Sequence, residues 1–148
     1  MEPSRYEHQN SEERLRVLIV DDDLALRKIL YKILENGGYD VLSAGSGPEA
    51  LAICSRSNPP IDLLVTDYNM PGMNGMELGH ECTAFTSGLP VLFISGDYPD
   101  HELRVELEKV NRGFLAKPFR SVELMRKVKE MLLMHPEHAW SAQQQMNL

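Results

Sequence analysis

Long hydrophobic runs are missing from this 148-residue chain. No stretch approaches the roughly 20 apolar residues of a membrane-spanning helix. The polar opening MEPSRYEHQNSEER lacks the apolar centre of a secretory signal. A cytoplasmic protein without a membrane partner is therefore expected. Cysteine is scarce: Cys54 and Cys82 are the only two and have no C-x-x-C spacing. That argues against a disulfide scaffold or a zinc site and for reduced core thiols. Positive charge is also short, with 15 Lys and Arg against 22 Asp and Glu, a formal net charge of -7. A general nucleic-acid surface needs clustered basic residues, so none is expected. No internal repeat is visible. What remains is 43% hydrophobic and 25% charged residues, an ordinary balance for one globular domain with a single core.

The apolar residues fall into an alternating pattern. RVLIV is too short for a helix and rich in β-branched residues, which predicts a buried strand. Leu26, Ile29, Leu30, Ile33 and Leu34 follow at spacings of three and four, the stripe of an amphipathic helix, and Gly37 or Gly38 offers its left-handed stop. DVLSA predicts a second strand. GSGPEALAIC predicts a helix with Pro48 in its first position, where a missing N–H costs nothing. IDLLVTD, PVLFISG and GFLAKPF predict three more strands. GMELGHEC predicts a short, weakly patterned helix, the stripe Leu103, Leu107, Val110 a fourth, and the stripe Leu124, Met125, Val128, Met131, Leu132 the last. Five strand–helix alternations imply a parallel sheet covered on both faces.

Such sheets bind ligands at the carboxyl ends of their strands. Here the first strand ends at Asp21, Asp22 and Asp23, the third at Asp67, the fourth at Ser95 and the fifth at Lys117. Two carboxylates about 4 Å apart repel by roughly 4 kcal/mol at an effective dielectric of 20, so the acids mark either a solvated turn or a cation site. Taken singly, each residue has a plain structural explanation: Asp23 as a helix N-cap, Ser95 as a turn residue, Lys117 as a solvated loop side chain. Their joint placement favours a site in which carboxylates hold Mg²⁺, one carboxylate accepts a phosphoryl group, and the hydroxyl and ammonium neutralise its oxygens. YNMPGMNG, directly after Asp67, is a loop able to aim a backbone carbonyl such as that of Asn69 at the metal. GSGPEA also fits a dinucleotide fingerprint but lies on the second strand–helix turn, where a turn with a helix cap is the better reading.

VLIVDDD, LLVTDYNMPGMNG, VLFISGD and GFLAKPF, in this order and spacing, resemble the receiver domain of two-component response regulators. The resemblance spans Leu15 to Met134. It implies a flavodoxin-like, doubly wound α/β fold with a five-stranded parallel sheet in the order 2-1-3-4-5 and five flanking helices. It implies Asp67 as the phosphoacceptor, loaded by a sensor histidine kinase or a phosphotransfer protein. Mg²⁺ would be held by Asp22 directly, by Asp21 through water, by Asp67, and by the backbone carbonyl of Asn69. Ser95 would be the switch hydroxyl, Lys117 the lysine paired with the phosphoryl group, and Phe114 the aromatic switch residue. Phosphorylation would repack the face made by the fourth helix, fifth strand and last helix, where an output partner docks. Asn69 and Asp97 would flank the water that hydrolyses the acyl phosphate.

The expected organisation is a polar leader (1–14), a receiver domain (15–134) and a C-terminal tail (135–148). The fourteen residues after Met134 are too few for an output domain, and the starting Met with its leader suggests a free-standing protein acting by contact or by relaying phosphate. Three alternatives are weighed. A receiver cut from a hybrid histidine kinase would have the same motifs. A haloacid-dehalogenase-type phosphatase also places D-x-D (Asp21, Asp23) after a strand, but Ala25 and the lack of an acid between Lys117 and Glu123 disfavour it. A receiver-like scaffold without phosphorylation is disfavoured by intact Asp22, Asp67, Ser95 and Lys117.

Overall fold

The computed structural model describes residues 14–133. Of the expected leader only Arg14 lies among them, and the expected tail lies outside. Strands β1 (Arg16–Val20), β2 (Asp40–Ala44), β3 (Leu63–Asp67), β4 (Val91–Ser95) and β5 (Arg112–Ala116) alternate with helices α1 (Leu24–Asn36), α2 (Gly47–Arg56), α3 (Gly75–Cys82), α4 (His101–Glu106) and α5 (Ser121–Leu132). The sheet is parallel throughout, in the order β2-β1-β3-β4-β5. Both the alternation and the strand order match expectation.

Strand side chains alternate between two apolar layers because successive residues point to opposite faces. Val17, Ile19, Leu63, Val65, Leu92 and Ile94 face α1 and α5, where they meet Leu30, Leu34, Leu124 and Val128. Leu18, Val20, Leu64, Val91 and Phe93 face the other way, onto Ala50 and Cys54 of α2, Leu78 and Cys82 of α3, and Leu103 of α4. Each fully buried Leu or Ile contributes roughly 1.5–3 kcal/mol relative to exposure. With both faces covered, the central strands read as unbroken apolar runs, and polar residues are left to the strand ends.

The starts of α1 to α4 are set by side-chain caps. Asp23 accepts from the Ala25 and Leu26 N–H groups, as expected of it, and Ser46 accepts from Glu49 N–H. Asn74 and Glu77 form a reciprocal capping box, and Asp100 accepts from Leu103 N–H. Gly38 takes the left-handed conformation (φ 95°) after α1.

Three local expectations need correction. Ile29 lies at the margin of the α1 stripe and is 55% exposed, whereas Leu30 and Leu34 are buried. The α4 stripe stops early: the helix ends at Glu106, Leu107 is its C-cap, and Val110 lies beyond it, 84% exposed. Pro48 is the second residue of α2, which starts at Gly47. That position still needs no intrahelical N–H donor.

Candidate functional site

The site is built where β1 and β3, neighbours at the centre of the sheet, both end in acids. Asp21 is held from three sides. Its N–H donates to Ala44 O (3.2 Å), Arg27 Nη1 donates to its carbonyl (2.8 Å), and its Oδ1 accepts the N–H of Asp23 (2.8 Å). These bonds leave Oδ2 buried without a hydrogen-bond donor. Asp21 is 1% exposed and Asp67 8%, while Asp22 is exposed. Carboxylate oxygens of all three lie within 4.8 Å of one another. Lys117, just past β5, places Nζ 3.5 Å from Asp67 Oδ1 and 3.6 Å from Asp21 Oδ2. Its own N–H donates to Ser95 O (2.8 Å), which ties the ends of β4 and β5 together.

Three carboxylates thus face one ammonium. Burial pushes the Asp67 carboxyl up; Lys117 opposes the shift, and the Asp21 and Asp22 charges add to it. This is the electrostatic signature of a place short of positive charge. The ligand chemistry is wholly oxygen, and one buried carboxylate oxygen lacks a donor. Both features fit Mg²⁺, a hard ion that prefers carboxylates and water.

The second half of the site sits on the loops after β3 and β4. Ser95 is 2% exposed, and its Oγ accepts from Asp97 N–H (3.1 Å) and Asn69 Nδ2 (3.3 Å). The same amide group reaches Asp97 Oδ2 (3.3 Å). Asn69, Ser95 and Asp97 therefore form one polar cluster. Phe114 is half-buried on β5, in register with Phe93 of β4 and packed on the layer that includes α4.

The loop after Asp67 is closed by glycine. A Cβ on Gly75 would come 2.5 Å from the Asp67 carbonyl oxygen, so the first residue of α3 rests directly on the backbone of Asp67. Gly72 takes φ 79° within the same loop. Tyr68 continues the chain away from the acids: its ring meets Phe93 edge-on (6.0 Å, 86°) and its hydroxyl donates to Asp100 (3.3 Å), the α4 cap. Sequence reading missed Arg27 and the Tyr68–Asp100 link. An Asp just before H-E-L is a helix-cap signal that could have found Asp100, but no local pattern pairs it with Tyr68.

An open, doubly wound parallel sheet with an acid trio and a lysine at its carboxyl edge defines an α/β module with room for both charges at one crevice. The chain belongs to the response regulator receiver domain family, whose model matches residues 17–129. It is 32% identical over 119 residues to the DNA-binding response regulator MtrA of Mycobacterium tuberculosis, covering 80% of this chain and 51% of that protein. Among solved structures it is similar to the receiver domain of the hybrid histidine kinase CckA (35% identity, TM-score 0.68, 79% of this chain and 98% of that one). It is also similar to a CheY-like receiver domain protein of Methanospirillum hungatei (29% identity, TM-score 0.75, 84% and 98%). The chain spans about half the length of most of the curated relatives it matches, and 19% of one of them.

The protein is thus a receiver domain of two-component response regulators, a signalling module. Receiver domains are phosphorylated by histidine kinases and generally bind Mg²⁺ at an acidic pocket, and an acid cluster of that kind is present here. The likeness to the CckA receiver is consistent with a receiver of hybrid-kinase type, and the phosphatase alternative finds no support. Among the described residues, no helix is long and apolar enough to cross a membrane.

Proposed function

We propose that Asp67 is the phosphoacceptor. The observation that carries this reading is its place at the end of the central strand, with Lys117 Nζ at 3.5 Å and two further carboxylates beside it. An Asp67 carboxylate oxygen attacks phosphorus, the bond to the donor nitrogen of a phosphohistidine breaks, and an acyl phosphate forms. Lys117 then pairs with a phosphoryl oxygen, and the Ser95 hydroxyl leaves Asn69 and Asp97 to donate to another. Mg²⁺, when bound, supplies the charge that lets the dianionic phosphoryl group approach an acid cluster; Asp21, Asp22, Asp67 and the Asn69 carbonyl are its proposed holders. The protein is phosphorylated once per cycle and dephosphorylates itself, and it acts as a signalling module.

The proposed donor is a sensor histidine kinase or a phosphotransfer protein. The proposed output surface is α4, β5 and α5, with Phe114 as the aromatic that repacks when Ser95 moves. Val105 and Val122 stand exposed on α4 and α5. A two-state face of this kind is biased by local charge at the acceptor. Nucleic acid and membrane are not proposed partners, the location proposed is the cytoplasm, and residues 15–134 are the proposed domain. Whether the output is contact or phosphate relay is read from chemical shifts near Leu103, Phe114 and Leu124 on phosphorylation: movement there means a switch, and movement confined to Asp67 means a relay.

Labelling with acetyl phosphate and Mg²⁺, followed by intact mass, tests the acceptor. The wild-type chain gains one phosphoryl group and Asp67→Asn gains none. Labelling of Asp67→Asn together with its loss in Asp21→Asn would instead make Asp21 the nucleophile.

A further inference from the structure

The two cysteines that the receiver chemistry does not use meet each other in the core. Cys54 on α2 and Cys82 on α3 lie 28 residues apart in sequence, with Sγ atoms 3.0 Å apart. Both are free, and they are 5% and 0% exposed. A disulfide bond is about 2.05 Å long, so roughly 1 Å of approach between two adjoining helices would form one. We propose that Cys54 and Cys82 are a reversible thiol–disulfide pair, oxidised by a peroxide, that pins α2 to α3.

The pair is asymmetric. The hydrogen bond from Cys82 lowers the Cys54 thiol against the effect of burial, whereas that bond and burial together raise Cys82. Cys54 is also the one with residual exposure, so it attacks first. Its sulfur takes one peroxide oxygen, the O–O bond breaks, and hydroxide leaves with the thiol proton as water. Cys82 sulfur then attacks the sulfenic sulfur, the S–S bond forms, the S–O bond breaks, and the second hydroxide leaves with the Cys82 proton. Two thiols are oxidised by two electrons and one peroxide is reduced to two waters. The crosslink bears on the domain because the first residue of α3, Gly75, rests on the Asp67 backbone. A pin at the far end of α3, Cys82, holds a helix that starts against the acceptor strand.

The simple alternative is a pair of small apolar core residues with no redox role. Treating the whole chain with hydrogen peroxide, then denaturing and alkylating it, separates the two. Alkylated thiols are the readout, because the eight methionines also take up oxygen. We expect both thiols lost in a monomeric chain, a Cys54–Cys82 crosslinked peptide on digestion, and both thiols restored by dithiothreitol. The oxidised form should melt on the order of 10 °C higher, since the crosslink closes a 28-residue separation. In Cys82→Ala, dimedone should trap a sulfenic acid at Cys54, while in Cys54→Ala the Cys82 thiol should survive. Two thiols persisting at a peroxide dose that oxidises the denatured chain would overturn the proposal. So would crosslinks formed only between chains, or irreversible oxidation of Cys54 with Cys82 left free. The wild-type thiol count decides even if both variants fail to fold.

Discussion

Two carboxylates in this protein are buried to nearly the same depth and meet opposite surroundings. Asp67, at the carboxyl edge of the sheet, shares its space with two other acids and one lysine. Glu106, at the end of α4, is ringed by partners: two cations, Arg112 Nε at 2.8 Å and Lys109 Nζ at 3.0 Å, and the His80 ring, Nε2 at 3.0 Å. Burial alone would raise both carboxyls. At Asp67 the lysine opposes that shift without cancelling it, and the carboxyl stays raised. At Glu106 the bonds from His80, Arg112 and Lys109 outweigh burial and hold the carboxyl down at about 2. One cluster is short of positive charge and open to a ligand; the other is saturated and joins α3, α4 and β5 as scaffold. Buried charge is therefore a sign of function only where its partners are too few.

The sharpest break between the two clusters is a double dissociation. Asp67→Asn abolishes phosphoryl labelling yet leaves the metal-free protein as stable as wild type or more so, because it removes a repelled charge. Glu106→Gln does the reverse. It strands Arg112, which is 4% exposed on its side chain, and costs about 3 kcal/mol in denaturant unfolding while labelling persists. Loss of labelling in a folded Glu106→Gln would merge the two clusters into one functional unit.

Acid should separate them next. The Glu106 carboxyl is depressed from an ordinary 4.5 to about 2, so its contribution is fully present above 4.5 and is lost as pH falls through about 2. Asp67 is raised, so its own contribution has the opposite slope, present at low pH and lost as pH rises through its folded value. Between pH 4.5 and 2, wild type should lose stability faster than Glu106→Gln. Parallel curves would mean the cluster does not titrate as drawn.

A smaller effect should appear with magnesium. Mg²⁺ should raise the melting temperature of wild type and of Glu106→Gln alike, and Asp22→Ala should lose most of that shift because the ion loses a charged ligand. An undiminished shift in Asp22→Ala would remove Asp22 from the metal site. Subtlest of all is the lifetime of the acyl phosphate. Asn69 and Asp97 form one hydrogen-bonded cluster with Ser95, so the two positions are tested together. Asn69→Arg with Asp97→Tyr should lengthen the phosphoryl half-life by roughly tenfold, about 1.4 kcal/mol in barrier. Phosphate release after donor removal measures it, and an unchanged half-life would free the two positions of that role.

Most of the fold and the placement of most of the strand-end acid cluster were legible in the sequence, because both are written in local signals. β2 and α3 coincide residue for residue with DVLSA and GMELGHEC, and the strand ends carry Asp21, Asp67, Ser95 and Lys117 as read. Apolar runs, turn residues and caps act over a few positions, and the parallel topology then carries every strand end to one edge. Tertiary structure decided what depends on partners far along the chain. Ile29 and Val110 fit their stripes yet face solvent, because periodicity marks an arc whereas the neighbouring elements determine how much of it is covered. His80 and Glu106 are 26 residues apart, as are Asn69 and Ser95, and Cys54 and Cys82 are 28 apart. The strand-end motifs put Asn69 and Ser95 in one site, but no repeat or motif links the other two pairs in advance. Their contacts exist because the sheet lays distant helices and loops side by side, where charge, hydrogen bonding and sulfur contact act only at short range.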